Sequence, residues 1–390
     1  MSSGGGRNIV VLMDGTSNQI DDRHTNVLRL FRVCAKNAEQ LVFYHPGVGT
    51  VARDSAWQSF RQKTASIAGL AFGYGLDENV VEAYAYLVEH WRPGDRVFLF
   101  GFSRGAWTVR VLAGLIHTVG LMRPGELHLV DHALGAYKRG AAKRELPYAW
   151  RFGRVVGSVR MPIWFLGCFD TVASVIVPRP DRAYVPSLEE LPYTHENPSV
   201  MHFRHALAID ERRRMFRPAP WDPGQTFRPY LAKHSRSAPQ DVEEMWFAGV
   251  HGDVGGGYPE ADSALAKIPL AWMLEEAEAK GLKVMRGRVN RLGLGRRHRR
   301  SVEATVAPDP LADMHESLTT GWWPLELLPR RASQAETRTA TRGLYLPRGE
   351  RRAIPSGASI HPSVRARVAK RADYDCLLYT SDAADDLLCV

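Results

Sequence analysis

The chain has few cysteines and no long apolar run, and both absences exclude classes of protein. Four cysteines in 390 residues are too few for a small secreted scaffold held by disulfides. No stretch approaches the ~18 consecutive apolar residues that a membrane-spanning helix requires. The four cysteines do not occur at metal-ligand spacing, and no internal repeat is present. We therefore expect no bound metal and no cofactor.

The N-terminus lacks the apolar segment of a signal peptide. Residues 1–8 are rich in glycine and serine, so we expect this stretch to be disordered and the protein to be cytoplasmic in the producing cell. Delivery outside the cell would then need a secretion system that is independent of a signal peptide.

The net charge of +9 is concentrated in two arginine-rich stretches, residues 286–300 and 330–352. Such stretches are typical of a solvated surface, but they can also contact anionic lipid head groups or nucleic acid. Aromatic residues are not interleaved with these arginines, as base stacking requires. A peripheral contact with an anionic membrane is therefore the favoured functional interpretation, and we expect no nucleic acid partner.

The most informative stretch is residues 97–116. Its first four residues, VFLF, are typical of a buried parallel strand. The sequence Gly-Phe-Ser-Arg-Gly follows, and apolar residues then return at helical spacing. Strand, Gly-x-Ser-x-Gly and helix in this order form a nucleophile elbow, which predicts Ser103 as a catalytic nucleophile. The alternative is a glycine–serine turn between two core elements.

Further apolar runs alternate with amphipathic helices along the chain. Predicted strands occupy residues 9–13, 41–44, 163–168 and 245–250, whereas residues 200–212 fit neither the helical nor the strand period and 176–198 are predicted to be a long crossing loop. This order predicts an α/β fold with a mostly parallel sheet, helices on both faces and large loop insertions. Ligands bind such sheets at the carboxyl ends of the strands.

Polar residues follow several of these strands and can therefore meet at one edge of the sheet. Asp170 follows the strand after the nucleophile strand, and His251 follows the last strand. A serine hydroxyl needs a base such as histidine, and a carboxylate orients that histidine. The order Ser103, Asp170, His251 is that of α/β-hydrolases. Asp210 is the alternative acid.

Two other histidines, His205 and His315, compete with His251 for the role of base. For the oxyanion hole we expect the backbone N–H of Arg104 together with that of Gly15 or Thr16. Asp253 has two possible roles: it can brace the neighbouring glycine turn, or it can bind a metal with Asp14, although no ligand spacing supports a metal there.

Several ordered motifs resemble the DUF2235 family, the catalytic domain of type VI secretion phospholipase effectors. The resemblance rests on residues 13–16, 25–27, 47–50, 101–106, 169–174, 206–213 and 246–258. It runs from Ile9 to about Tyr374, with residues 311–318 and 361–367 similar to the closing segment of the family. The resemblance implies an α/β-hydrolase that cleaves phospholipid esters, with the triad at Ser103, Asp170 and His251.

These observations predict a serine ester hydrolase that acts on phospholipids through an acyl-enzyme. An intracellular carboxylesterase for small or other acyl esters is one alternative, and a non-catalytic module that binds anionic surfaces is another. We expect one hydrolase domain over residues 9–375, with a basic, loop-rich peripheral part at 283–360. Residues 376–390 resemble translated sequencing-adaptor read-through and are expected to be non-native.

Overall fold

A seven-stranded parallel sheet lies at the centre of the computed structural model. The residues that it describes are 6–15, 23–47, 76–143, 146–172, 176–178, 186–188, 191–228, 237–296, 305–327 and 346–374. The strands of the sheet are β1 (Asn8–Met13), β2 (Gln40–His45), β3 (Arg96–Phe102), β4 (Ile163–Phe169), β7 (Val200–Ala208), β10 (Asp241–Phe247) and β11 (Ser359–Ile360). Short antiparallel pairs are formed by β5 (Ile176–Pro178) with β6 (Pro186–Leu188), and by β8 (Thr226–Phe227) with β9 (Ala238–Pro239).

Crossover connections give the sheet the order β11-β10-β7-β4-β3-β1-β2. The register aligns Phe102 at the end of β3 with Phe169 at the end of β4, and Phe169 with Ala206 in β7. Ser103 and Asp170 are therefore each one residue beyond aligned positions of adjacent strands. The register itself brings these two residues to the same edge.

Helices cover both faces of the sheet, because its strands are apolar on both sides. In β1, Ile9 and Val11 pack into one core and Val10 and Leu12 into the other. The helices are α1 (Asn26–Val33), α2 (Leu76–His90), α3 (Arg104–Val119), α4 (Val130–Lys143), α5 (Leu146–Val155), α6 (His251–Gly255), α7 (Lys267–Ala279), α8 (Arg286–Arg288), α9 (Trp323–Glu326) and α10 (Pro362–Lys370). Residues of α2, α3 and α4 contribute to the first core, and those of α1 and α7 to the second. The predicted α/β fold is confirmed.

Helix α3 passes so close to β1 that only glycine fits at position 105. A Cβ atom built on Gly105 would lie 2.1 Å from the carbonyl oxygen of Met13, far inside van der Waals contact. The second glycine of the Gly-x-Ser-x-Gly sequence therefore lets the helix and the strand approach each other, as the motif predicts.

Two sequence predictions about the ends and loops need correction, and the structure decides a third stretch that the sequence left open between helix and strand. The expected disorder of residues 1–8 is wrong at Asn8, which begins β1 and donates a hydrogen bond from its side chain to Gln40 at 3.0 Å. Arg7 is held by an ion pair with Asp95 at 2.9 Å. The proposed crossing loop over 176–198 contains the β5–β6 pair, and the ambiguous stretch 200–212 is mostly strand.

The prediction that residues 283–360 are peripheral is wrong for the last part of that range. Strand β11 extends the central sheet, with Ile360 aligned to Trp246 of β10. Ile354 packs in a third apolar cluster with Trp246 and Val364. Residues 346–374 are therefore integral to the fold. The stretch 376–390 lies outside the described residues.

Among the described residues, Cys34 and Cys168 are buried free thiols. In the same part of the chain, no helix combines the length and the apolar character needed to cross a bilayer.

Candidate active site

Ser103 occupies the sharp turn between β3 and α3. Its backbone angles are φ 57° and ψ −122°, a left-handed conformation that non-glycine residues rarely adopt and that costs of order 1–3 kcal/mol. Three backbone bonds hold this turn: Ser103 N–H donates to Phe169 O at 3.1 Å, and Ser103 O accepts from Trp107 N–H at 3.2 Å and from Val172 N–H at 3.5 Å. The strain is thus stabilised by β4 on one side and the first turn of α3 on the other.

Asp170 and His251 form a short hydrogen bond at the same edge. His251 Nδ1 lies 2.5 Å from Asp170 Oδ2, and the Asp170 carboxylate is fully buried. The other oxygen, Oδ1, accepts the N–H of Ala208 at 3.0 Å. Because an ionised carboxylate can only accept, Nδ1 of the imidazole carries the proton and Nε2 is the basic nitrogen.

Two phenyl rings enclose the His251 imidazole. The ring of Phe102 lies 4.6 Å from it, and the ring of Phe216 lies 4.8 Å away in an edge-on arrangement. His251 is only 6% exposed. A Cβ atom at Gly255 would lie 1.8 Å from the Phe102 ring, so a glycine in α6 is needed for this packing.

Burial and charge act in opposite directions on this pair. Burial alone would raise the pKa of the Asp170 carboxyl, but the charge of Arg352 and the hydrogen bond from His251 outweigh it and hold that pKa well below its usual value. Burial lowers the pKa of the His251 imidazole, although the bond to Asp170 opposes this. At neutral pH the site therefore holds an anionic carboxylate beside a neutral imidazole.

Sequence reasoning missed Arg352, which binds both oxygens of Asp170. Its two terminal nitrogens lie 2.6 Å from Oδ1 and 3.0 Å from Oδ2. The guanidinium is buried, and it also donates to the carbonyl oxygens of Ala208 and Phe216. Arg352 lies 182 positions from Asp170 in an arginine-rich stretch, and no local pattern distinguishes it from its neighbours.

Glu211 is a second residue that was missed. Its Oε2 accepts the backbone N–H of His251 at 3.1 Å, and its side chain pairs with Arg213 through two bonds of 2.9 and 2.8 Å. Burial would raise the pKa of Glu211, but the bond and charge of Arg213 lower it to about 2. Ser317 also donates to Glu211, at 2.9 Å. This anion fixes the backbone at the base of the imidazole.

The roles of the expected oxyanion donors stay predictions. The backbone N–H of Arg104 lies in the first turn of α3, directly after Ser103. The Gly15 N–H donates to Asp14 Oδ1 at 2.7 Å. Asp14 also accepts from Thr25 at 2.5 Å and from Tyr44 at 2.9 Å. A role for Gly15 as oxyanion donor therefore requires its bond to Asp14 to open and stays a prediction, and Thr16 lies outside the described residues.

The alternative acid and bases have other partners. Asp210 accepts the N–H of Gly249 at 2.7 Å and the Tyr374 hydroxyl at 2.8 Å. His205 is fully buried, with Nδ1 2.8 Å from Glu244 and Nε2 accepting the N–H of Thr171. The structure thus pairs His251 with Asp170 and not with Asp210.

His315 pairs with Asp253, whose Oδ1 lies 2.6 Å from Nδ1 of the imidazole. The other oxygen of Asp253 accepts the N–H of Val250 at 3.0 Å. Asp253 therefore braces the turn that leads into His251. Within the described ranges, no group of three histidine, cysteine, aspartate or glutamate side chains has the arrangement of a metal site.

Residues 7–276 match the family model described as the type VI secretion phospholipase effector Tle1-like catalytic domain. The chain belongs to this family. The resemblance that the motifs indicate is thus confirmed. The match ends at residue 276, so the extension of the likeness to about Tyr374 stays a prediction.

Individual relatives share part of their length with this chain. The uncharacterized protein YEL023C of Saccharomyces cerevisiae is 34% identical over 246 residues, which are 59% of this chain and 34% of the yeast protein. The crystal structure of an uncharacterized protein from Pseudomonas aeruginosa matches with 19% sequence identity and a TM-score of 0.39. This match covers 72% of this chain and 46% of that protein. The Tle1 effector bound to the VgrG spike of the type 6 secretion system is also 19% identical, with a TM-score of 0.35 over 67% and 53% of the two chains. The chain thus spans about a third to a half of these relatives.

Proposed function

We propose that this domain hydrolyses carboxylic ester bonds of phospholipids through an acyl-enzyme on Ser103. The observation that carries the proposal is the 2.5 Å bond between His251 and Asp170, at the same sheet edge as the strained turn of Ser103. Nucleophile, base and orienting acid are the three groups that acyl transfer by a serine requires.

In the acylation step, His251 Nε2 takes the Ser103 hydroxyl proton while Oγ forms a bond to the ester carbonyl carbon. Asp170 keeps Nδ1 protonated, so that Nε2 is available, and it stabilises the imidazolium that forms. The tetrahedral intermediate carries its negative charge on the former carbonyl oxygen. The Arg104 N–H is the proposed donor to that oxygen, and losing one such donor typically costs about 3 kcal/mol of transition-state stabilisation.

The intermediate collapses as the ester C–O bond breaks and the imidazolium returns its proton to the leaving oxygen. The first product is the alcohol half of the ester, a lysophospholipid in the case of a phospholipid. Water then attacks the acyl carbon with His251 as base again, and the fatty acid leaves with Ser103 restored.

Apolar side chains beside the imidazole favour a lipid ester over a small soluble ester. The ring of Phe216 contacts both His251 and Trp322, with centroid distances of 4.8 and 5.4 Å. In the segment that follows Trp322, the side chains of Trp323 and Leu327 are 38% and 56% exposed. Exposed aromatic and aliphatic groups on a segment that contacts the site through Trp322 suit an acyl chain at a membrane surface.

The test compares wild type with Ser103→Ala on phospholipid vesicles and on p-nitrophenyl butyrate. Fatty acid and lysophospholipid are quantified, and a fluorophosphonate probe reports a reactive serine. We expect equal release of both products by wild type, a loss of at least about 10³-fold in the variant, and probe labelling that depends on Ser103. Equal rates in the two proteins would overturn the proposal, and activity on butyrate alone would favour the small-ester alternative.

A further inference from the structure

We propose that Arg352 is a positioning residue of this site, which fixes the Asp170 carboxylate and tunes the basicity of His251. The inference rests on the proposed function. Arg352 lies outside residues 7–276, the part of the chain that matches the family model, so the match does not include it.

The contacts of Arg352 are those of a fixed brace. Its guanidinium forms two bonds with one carboxylate, of 2.6 and 3.0 Å, and it is 4% exposed in the side chain. Paired N–H groups in a rigid plane bind a carboxylate in one orientation, which a lysine ammonium cannot do. Together with His251 and the Ala208 N–H, Arg352 occupies both oxygens of Asp170. The carboxylate therefore cannot rotate away from the imidazole.

The same guanidinium connects Asp170 to two other parts of the site. It donates to Ala208 O at 2.9 Å, at the end of β7. It also donates to the carbonyl oxygen of Phe216, whose ring packs against His251. The segment that carries Arg352 is itself anchored by the buried Ile354 and by the pairing of β11 with β10. Arg352 therefore has a defined position from which to act.

Charge gives Arg352 a second effect. An anionic Asp170 stabilises protonated His251, and a cation bound to that carboxylate offsets part of the stabilisation. Other charged or titratable groups surround the pair of Asp170 and His251. Glu211 and Arg213 bind each other near the backbone of His251. His205 accepts the N–H of Thr171, and Asp253 pairs with His315. These neighbouring groups are largely paired among themselves, whereas Arg352 binds the carboxylate directly. Its removal should leave an uncompensated anion beside the imidazole.

The test is the pH profile of kcat/KM for wild type, Arg352→Gln and Arg352→Lys, with Arg365→Gln, at an exposed position of α10, as a matched loss of charge. We expect the acid limb of Arg352→Gln to move upward by on the order of one pH unit. Arg352→Lys keeps the charge but not the paired geometry, so its acid limb stays near that of wild type while its rate falls roughly ten- to a hundredfold. Arg365→Gln should match wild type in both the acid limb and the rate.

A merely structural role gives a different result: Arg352→Gln would lose rate equally at every pH, with its acid limb unmoved. That result overturns the proposal, as does an Arg352→Lys variant with full activity. Circular dichroism checks the folding of each variant. If Arg352→Gln does not fold, the rate of Arg352→Lys still tests the brace, and Arg352→Met, which removes the charge but keeps an apolar side chain of similar length, tests the shift of the acid limb.

A readout without turnover separates this inference from the proposed function. In the Ser103→Ala background, the His251 imidazole is titrated by NMR, with its signal assigned by its absence in His251→Gln. Removal of Arg352 should raise the pKa of His251 whether or not any ester is cleaved. An inactive wild type with a shifted titration sinks the proposed function alone, and an active wild type with an unshifted titration sinks the role of Arg352.

Discussion

Asparagine at position 170 would keep the shape of the side chain but replace one acceptor oxygen with an amide that donates. In the structure the two carboxylate oxygens accept from His251 at 2.5 Å, from Ala208 at 3.0 Å, and from Arg352 at 2.6 and 3.0 Å. Whichever way the new amide turns, its NH₂ group faces two donors. Two bonds are lost, and the buried guanidinium no longer faces an anion.

The magnitudes follow from these contacts. Removing one partner of a buried ion pair costs about 3–5 kcal/mol, because the remaining charge is uncompensated, so the free energy of unfolding should fall by about that amount. If the asparagine amide faces His251, the imidazole takes the wrong tautomer, with its proton on Nε2. In serine hydrolases, replacing the triad aspartate by asparagine lowers kcat by about 10⁴-fold because of this wrong tautomer. We expect a similar decrease in kcat for Asp170→Asn.

Asp210→Asn is the matched control, since Asp210 is the alternative acid and is also buried. Both of its hydrogen bonds, from Gly249 and Tyr374, go to the same oxygen, so an asparagine can keep them. Burial raises the pKa of Asp210, although the bonds from Gly249 and Tyr374 oppose it. We expect a loss of about 1–2 kcal/mol in stability and a kcat/KM within tenfold of wild type.

Urea denaturation at pH 7.5 gives the two stabilities, and the vesicle assay gives the two rates at a temperature where both variants are folded. The reasoning is refuted if Asp170→Asn keeps activity within tenfold of wild type. It is equally refuted if Asp210→Asn is the variant whose kcat falls by about 10⁴-fold. The catalytic acid would then be Asp210, although it is Asp170 that contacts His251 in the structure.

Two further predictions concern stability. Gly105→Ala places a Cβ atom 2.1 Å from Met13 O, so α3 must shift, and thermal denaturation should show that the free energy of unfolding falls by about 1–3 kcal/mol. Gly135→Ala is the control: nothing lies within 4 Å of the new atom, so the free energy of unfolding should rise by up to about 1 kcal/mol. Equal effects of the two substitutions would contradict the close approach of α3 to β1. Burial lowers the pKa of His117 to about 4 from 6.5, so the unfolded chain binds one more proton between these values and stability falls as the pH drops. From pH 7.5 to 5 this contributes a loss of about 2 kcal/mol, which His117→Asn should remove from the pH dependence of urea denaturation; an unchanged slope would contradict it.

The parts of the fold that the sequence predicts correctly have local signals. Strands β1 and β3 are apolar on both faces, and the elbow between β3 and α3 is a short contiguous motif. The pairing of Asp170 with His251 could be anticipated because both follow strands of one parallel sheet. No distance had to be known for that inference, only the topology.

Strand β7 was harder to predict because it buries Arg204 and His205 against partly exposed acids of neighbouring elements. Arg204 in β7 contacts Asp241 and Glu276, and His205 contacts Glu244 in β10. The sequence of β7 alone therefore shows polar residues where a buried strand should be apolar, and the strand period is hidden. The compensating acids lie in β10 and α7, so the compensation cannot be recognised from the sequence of β7 by itself.

Arg352 shows a different limit of sequence reasoning and explains why the end of the chain matters. A parallel sheet can bring Ser103, Asp170 and His251 to one edge, but the strands do not provide a cation for a carboxylate that is fully buried. A buried anion needs partners with charge or hydrogen bonds, since desolvation otherwise favours its neutral form. Arg352 supplies both from a segment that enters the sheet through β11. The folded unit that sustains an ionised Asp170 therefore extends beyond residues 7–276, and a chain cut at the end of the family match would lose the cation along with the edge strand.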